Sequence, residues 1–478
     1  DYAAVLMGCT RQYLDACRAD DTYGVFLHEL TYLKPYIDSN PGEAEYIREL
    51  IAAGRVGTGG AHSLPSETII SGEAIIRNFI QGRRYHEAVL GDRPWVLMLW
   101  DVFGHVSQIS QIAAGCGFRA IIWSKDIRGA RPLFYHEALD GTRILVRRMP
   151  YGFGDRGMER DIEFLRACLH EPASLGYPAD LRLDCNDFRP PRGWVVGRTR
   201  WLRSLDPPII VSGQAHRLYF GDIMQAERRG EIFIPVMARD FEWHHQGTGV
   251  AHIDLKIANR LCENTIVNAE KWATIGSQFG ALYPWEALDK AWRQVFFAQH
   301  HDAITGPCCD RSYFDLMAGY REALSLSHEV LSRALAYLAA GVNTTGSDAL
   351  AALVVFNPLN WARTDLAEAQ ITFRRPVRSF RLVSAASGEP LPFEVVDATG
   401  PSGRIRHARV RFLVTVPSLG YTTVHVVRSD DPLPLVEKLA PSDTVDLENE
   451  FYRLTVSAAA GGGIVSLYDK ELGRELIN

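Results

Sequence analysis

The stretch WVLMLWDVFGHVSQISQIAAGCGFRAIIWS, residues 95–124, carries one complete repeat of a fold. Val96 to Trp100 is a short, largely apolar run of strand type that breaks into a loop at Asp101. SQISQIAAGCG (107–117) has helical character, and FRAIIWS (118–124) returns to an apolar run. Strand, loop, helix and strand in that order make an α/β fold, in which ligand sites gather at the carboxyl ends of the strands. Asp101 stands at such an end, with Gly104 to permit a tight turn. Taken alone, it serves equally well as a cap for the next helix.

Outward from this stretch the same alternation continues. YGVFLHEL (23–30) and EAEYIRELIAAGRV (43–56) read as another strand and helix, and residues 1–240 are expected to form one α/β domain. Residues 241–340 carry three long helical periods, DLKIANRLCENTIVNAEKWATIGSQFG, PWEALDKAWRQVFFAQ and SYFDLMAGYREALSLSHEVLSRALAYLAAG, which predict a three-helix domain. In the middle helix Leu288, Ala291, Trp292, Val295 and Phe296 share one face, and Thr305-Gly306-Pro307 stops it. QHHDAITG (299–306) therefore falls at its carboxyl end. After the polar linker GVNTTGSD, the runs ALVVFNPL, EAQITF, SFRLVS, ARVRFLVTVP and TTVHVVRS predict a β-sandwich over 349–432. Beyond a proline-marked break, ENEFYRLTV and GGGIVSLYD predict two strands of a further β-domain over 445–478.

With 478 residues, 47% of them hydrophobic, the chain can bury more than one core. Its 51 basic and 57 acidic residues leave a net charge of -6 with no long run of one sign. Neither nucleic acid nor a membrane surface is suggested as a partner, and a neutral polar substrate fits better. The eight cysteines are scattered without a CxxC pair and read as reduced thiols. No segment has the length of an apolar membrane span. The opening DYAAVLMGCT has neither a methionine nor a leader, so the true start is expected upstream of Asp1, and both ends read as cut.

Candidate chemistry gathers at three places. Asp101 is the first. Asp184 and Asp187 in LRLDCNDFRPPRGW (181–194) are the second, again an apolar run ending in a polar cluster. Two carboxylates converging from different strand ends are what glycoside hydrolysis needs, although by itself this cluster reads as an Asx-type turn before Pro190. The third is His300-His301-Asp302, which either caps a helix or holds an ion. His105 reads as structural. Trp243 beside His244-His245, and Trp123 beside Ser124-Lys125, offer stacking faces for a sugar, but a tryptophan near a strand end belongs more often to the core.

Taken as an ordered set, LWDVFGH, NDFRPP and QHHDAITG are similar to the motifs of the α-mannosidases of glycoside hydrolase family 38. SGEAIIRNFIQGRRY (71–85), HHQGTG (244–249), VVFNPLNW (354–361), LENEFYRL (447–454) and GGGIVSLYDKELGREL (461–476) extend the resemblance over nearly the whole chain. It implies a seven-stranded β/α barrel, a three-helix domain and β-sandwich domains. It also implies a zinc-dependent, retaining exo-α-mannosidase that works through a covalent mannosyl-enzyme on a mannose-containing oligosaccharide.

Residue by residue, the resemblance makes Asp101 both nucleophile and zinc ligand, Asp187 the acid/base, His301 a zinc ligand and Asp302 a contact to sugar hydroxyls. Lys125 falls where relatives carry an arginine that touches nucleophile and substrate. Two further ligands are implied in an H-x-D motif on a first strand ahead of Asp1, so the chain as it stands is expected to bind its single zinc ion weakly and to lack activity. Consecutive helical residues point about 100° apart, so a helix continuing through His300 and His301 lets only one of them face the metal. Two other readings remain: a metal-dependent carbohydrate deacetylase, indifferent to Asp187, and a non-catalytic carbohydrate-binding protein on the same scaffold. Linkage, compartment and any homo-oligomer are left open, with a lean to the cytoplasm; the Asn343-Thr344-Thr345 sequon permits secretion without showing it.

Overall fold

The computed structural model describes residues 2–124, 129–149, 157–174, 176–177, 179–184, 189–241, 245–345, 348–435 and 442–477. By its internal contacts the chain divides into two units, Asp1–Leu338 and Ala339–Asn478.

The first unit opens with α1 (Tyr2–Ala19), β1 (Val25–Leu27), α2 (Leu30–Ser39), α3 (Glu43–Ala52), β2 (Val56–Thr58) and α4 (Gly72–Leu90). It continues through β3 (Val96–Leu99), α5 (Ile109–Gly115), β4 (Ala120–Trp123), β5 (Leu133–Glu137) and β6 (Arg143–Arg148). Then come α6 (Met158–Ala167), α7 (His170–Ser174), α8 (Thr199–Arg203), α9 (Ala215–Arg228) and β7 (Val236–Met237). β1 and β2 pair in parallel. The other strands form a sheet in the order β3-β4-β6-β5-β7, parallel throughout except for the β5–β6 hairpin. A backbone bond from Met98 N–H to the Gly59 carbonyl, 3.0 Å, joins the two sheets. Both sheets are open, and among the described residues no closed barrel forms. β3 and β4 are buried along their whole length, as parallel strands covered on both faces must be.

α4 shows how the sequence fixes the site's scaffold. Its N-cap Ser71 accepts a hydrogen bond from Ala74 N–H, and Gly91 ends it in the left-handed conformation at φ 68°. Its buried Asn78 accepts from the backbone N–H groups of His62 (3.1 Å) and Ser63 (3.3 Å). Gly82 lies so close to the same segment that a β-carbon there would stand 2.5 Å from the Gly60 carbonyl oxygen and from His62 N. The path of residues 60–63, just ahead of the segment that meets His301, is thus held by α4.

The three long helices appear where the periodicity predicts them: α10 (Ile253–Gln278), α11 (Trp285–Ala298) and, after the single turn α12 (His301–Ile304), α13 (Asp310–Ala340). The expected face of α11 is buried at all five positions. Hydrogen bonds tie the helices together: Trp292 Nε1–H to Glu270 at 2.7 Å, Gln294 to Glu322 at 2.6 Å, and the Cys262 thiol to the Tyr320 carbonyl at 3.3 Å. One expectation fails. The helix does not continue through QHHDAITG: α11 ends at Ala298, and His300 is extended (φ −51°, ψ 141°) before α12 begins.

In the second unit, two three-stranded antiparallel sheets share one core. One has the order β10-β13-β8 and the other β11-β12-β9, from β8 (Ala349–Asn357), β9 (Arg363–Val377), β10 (Phe380–Ser384), β11 (Phe393–Thr399), β12 (Ile405–Val416) and β13 (Gly420–Arg428). Phe373, Phe380, Leu382, Val410, Phe412 and Val426 meet between them, which makes a β-sandwich. Along β12 the inward Ala408, Val410, Phe412 and Val414 alternate with outward residues. A separate four-stranded antiparallel sheet covers Thr444–Glu448, Tyr452–Ser457, Gly463–Asp469 and Arg474–Glu475. The described cysteines are all free thiols, and no described helix is long and apolar enough to cross a membrane.

Candidate active site

β3 and β4 run side by side in register, with Leu99 opposite Trp123. Asp101 follows the end of the first strand and Ser124 that of the second, so the two meet: the Ser124 hydroxyl accepts from Asp101 N–H. Asp101 itself is left-handed, φ 63°. Few non-glycine residues adopt this conformation, and aspartate is among them. The turn leaves its carboxylate 24% exposed.

His301 comes to Asp101 from the helical region. The segment 64–66 runs antiparallel to residues 299–301: Ser66 N–H donates to the Gln299 carbonyl (3.1 Å), and His301 N–H to the Leu64 carbonyl (3.0 Å). The same Leu64 carbonyl accepts from His301 Nδ1 at 3.0 Å. A carbonyl partner requires Nδ1 to carry the proton, which leaves the lone pair on Nε2. Nε2 stands 3.7 Å from Asp101 Oδ2 and 3.8 Å from Asp302 Oδ2. These separations exceed hydrogen-bond length. They are close to the roughly 3.4 Å between two ligand atoms of a tetrahedral zinc with bonds of about 2.1 Å. The donor set therefore fits a zinc ion. Asp302 is 54% exposed and His301 only 2%.

His300 is placed differently. Its Nδ1 accepts from Asp302 N–H (3.1 Å), so it is the N-cap of α12, and its Nε2 lies 3.4 Å from Glu29 Oε1. Its ring stacks against that of His301, with centroids 4.2 Å apart. The buried Glu29 carboxyl would be raised by desolvation, but His300 above all, with His28 and His301, outweighs this and holds it at about 2. His300 shows the reverse: burial opposes its protonation and Glu29 overcomes that, so its pKa is raised. His300, His301 and Asp302 present atoms within 4.8 Å of one another, but both His300 nitrogens already have partners.

These groups open on a cavity of about 420 Å³, whose wall includes His28, Glu29, Asp101, His300, His301 and Asp302. Asp184 lines it too, and its carboxylate accepts from Arg192 Nε at 2.6 Å. Lys125, Asp187 and Trp243 lie outside the described residues. Trp123 is fully buried and stacks on His105 at 4.0 Å, so it is core. His105 bonds to the equally buried Glu67 (2.7 Å), which agrees with its structural reading. The roles of Ser124, Leu64 and Glu29 escaped the sequence reading. Only the polar pair His28-Glu29, closing the strand in YGVFLHEL, offered a signal.

Carboxylates at the carboxyl ends of parallel strands, met by an oriented imidazole and a further carboxylate from a helical turn and facing an open cavity, define an α/β enzyme site for a polar ligand. Comparison with known proteins narrows this. Residues 2–167 match the glycosyl hydrolases family 38 N-terminal domain, and residues 244–338 the alpha mannosidase middle domain. The chain belongs to glycosyl hydrolase family 38. Human alpha-mannosidase 2C1 is 27% identical over 91% of the chain, and Dictyostelium discoideum alpha-mannosidase G 20% identical over 98%. The chain spans 39% and 45% of the lengths of these relatives. The crystal structure of an alpha-mannosidase from Enterococcus faecalis V583 has the same fold, with a TM-score of 0.81 and 17% identity over 99% of this chain and 59% of that one.

Proposed function

We propose that the site is that of a retaining exo-α-mannosidase acting on mannose-containing glycans with one zinc ion. The observation that carries this reading is the approach of Asp101, His301 and Asp302 within 3.7 and 3.8 Å on an open cavity, with His301 Nδ1 pinned so that Nε2 faces both carboxylates. Asp101 and His301 would hold the ion, which when bound would polarise and grip vicinal sugar hydroxyls. The H-x-D pair expected ahead of Asp1 would complete its ligands, on a β/α barrel carrying the site at its strand ends.

In the first step an Asp101 oxygen bonds to the anomeric carbon as the glycosidic bond breaks, and Asp187 gives its proton to the departing oxygen. Water then attacks the mannosyl-enzyme from the face the leaving group vacated, opposite Asp101, Asp187 takes back a proton, and Asp101 is released, so the configuration is retained. Asp302 orients hydroxyls at the rim. Lys125 and Trp243 are assigned to substrate contact on the resemblance.

In the intact protein, Asp101→Ala and His301→Ala should lose both zinc and hydrolysis of an aryl α-mannoside. Asp187→Ala should keep zinc and lose activity mainly on poor leaving groups. Wild-type turnover by Asp101→Ala, or release of acetate in place of mannose from an acetylated glycan, refutes the reading.

A further inference from the structure

Glu29 follows β1 and occupies the N-cap position of α2, yet its carboxylate makes no cap. It turns into the site. One oxygen accepts from Leu64 N–H at 3.1 Å, and the other faces His300 Nε2 at 3.4 Å. Each contact leads to a residue of the candidate centre. Leu64 presents its carbonyl to both the backbone N–H and Nδ1 of His301. His300 presents Nδ1 to the N–H of Asp302. A single buried carboxylate therefore underlies both the ring orientation of His301 and the turn that carries Asp302.

We infer that Glu29 and His300 are a positioning pair. Glu29 holds the proton of the His300 ring on Nε2, which frees Nδ1 to cap α12, and it anchors the Leu64 backbone that fixes the tautomer of His301. This inference rests on the metal reading above, for it makes His300 a cap and not a ligand. The tautomer logic gives it content. A carboxylate can only accept, so it selects the Nε2–H ring, whereas an amide in the same pose has one oxygen where Leu64 and His300 face two different ones. With glutamine there, its oxygen serves Leu64, its NH2 faces His300, and the proton moves to Nδ1, where it opposes Asp302 N–H.

The test is zinc affinity of the intact protein, measured by competition with a chromophoric chelator. Glu29→Gln should weaken zinc binding about 10- to 100-fold, the usual effect of disturbing an outer-shell partner. At position 300, asparagine is a strong N-cap whose carbonyl oxygen accepts from Asp302 N–H without help from residue 29. His300→Asn should therefore stay within about threefold of wild type, and His300→Ala should fall with Glu29→Gln. In the His300→Asn background, Glu29→Gln should cost little more, because the ring it controlled is gone.

Unchanged affinity in Glu29→Gln, or His300→Asn no better than His300→Ala, overturns the inference while leaving the metal reading intact. A wild-type protein that binds no zinc refutes the metal reading itself, and the inference with it.

Discussion

Asp101 carries two demands at once, a left-handed backbone and a carboxylate aimed at the cavity, and the residue type answers both. A side chain other than glycine costs about 1–2 kcal/mol at such a φ, least for aspartate and asparagine. Asp101→Asn is therefore expected to fold and, with metal removed from both proteins, to melt like the wild type while losing its nucleophile, with kcat down by at least about 10³-fold. Asp101→Val, equally unable to attack, should also destabilise by about 1–2 kcal/mol. Thermal melts and aryl mannoside kinetics check both, and more than a tenth of wild-type turnover in Asp101→Asn would rule out the nucleophile. A carboxylate at a strand end and a His-His-Asp step after an apolar helix are local patterns that marked Asp101, His301 and Asp302 as candidates, but only the resemblance chose roles for them over helix caps. Glu29 was not among the candidates. The polar pair that closes its strand hints at a site, but Glu29 has no assignable role until Leu64 and His300, remote in the chain, close on it.

Among the elements, α4 acts on the site at one remove, since Asn78 and Gly82 hold residues 60–63 and the next residues, 64–66, pair with 299–301. A methyl group at position 82 would press on the backbone of Gly60 and His62, which has no flexible end to move away. Gly82→Ala should cost about 3 kcal/mol, or roughly 4 °C in Tm. In α9, Gly221 has nothing within 4 Å of its would-be β-carbon, so Gly221→Ala should stabilise by about 0.5–1 kcal/mol. Calorimetry of the two variants tests the contrast, and equal shifts would show that contact at position 82 is unimportant. The motif SGEAIIRNFIQGRRY served only to extend the resemblance, and this contact was not visible in it, because the glycine's reason lies in another segment. The break at Gln299-His300 was hidden in the same way: the local stop signal, Thr305-Gly306-Pro307, lies further on, and pairing with residues 64–66 takes the backbone out of the helix before it. β11 was missed because FEVVDAT alternates its apolar residues with acids on a sheet edge and lacks the long apolar run of its neighbours.

Over the whole molecule, short apolar runs and helical periods pointed to strands and helices where the structure has β3, β4, α10, α11 and α13, because those patterns follow from burial of each element itself. Closure of the strands into a barrel depends on register between distant strands, which no local period encodes. Burial on this scale also has a consequence for acid stability. The first unit encloses His62, His86 and His216, and desolvation lowers them to about 4, 4 and 3. An unfolded chain takes up a proton on each near pH 6.5, whereas the folded chain does so only near those lower values. Between the two, unfolding binds protons, so stability falls as the pH drops, by about 1.4 kcal/mol per pH unit per histidine, and the loss is complete below the folded values. His86 isolates the effect, since its ring meets the Gly82 carbonyl at 2.6 Å and lies away from the candidate site. Glutamine keeps a donor for that carbonyl and cannot ionise. Urea titrations at pH 7, 6 and 5 should find the stability of His86→Gln less steep in pH than wild type by about 1.4 kcal/mol per unit. Parallel pH dependences would mean that His86 is protonated in the folded chain, and that its burial leaves it open to water.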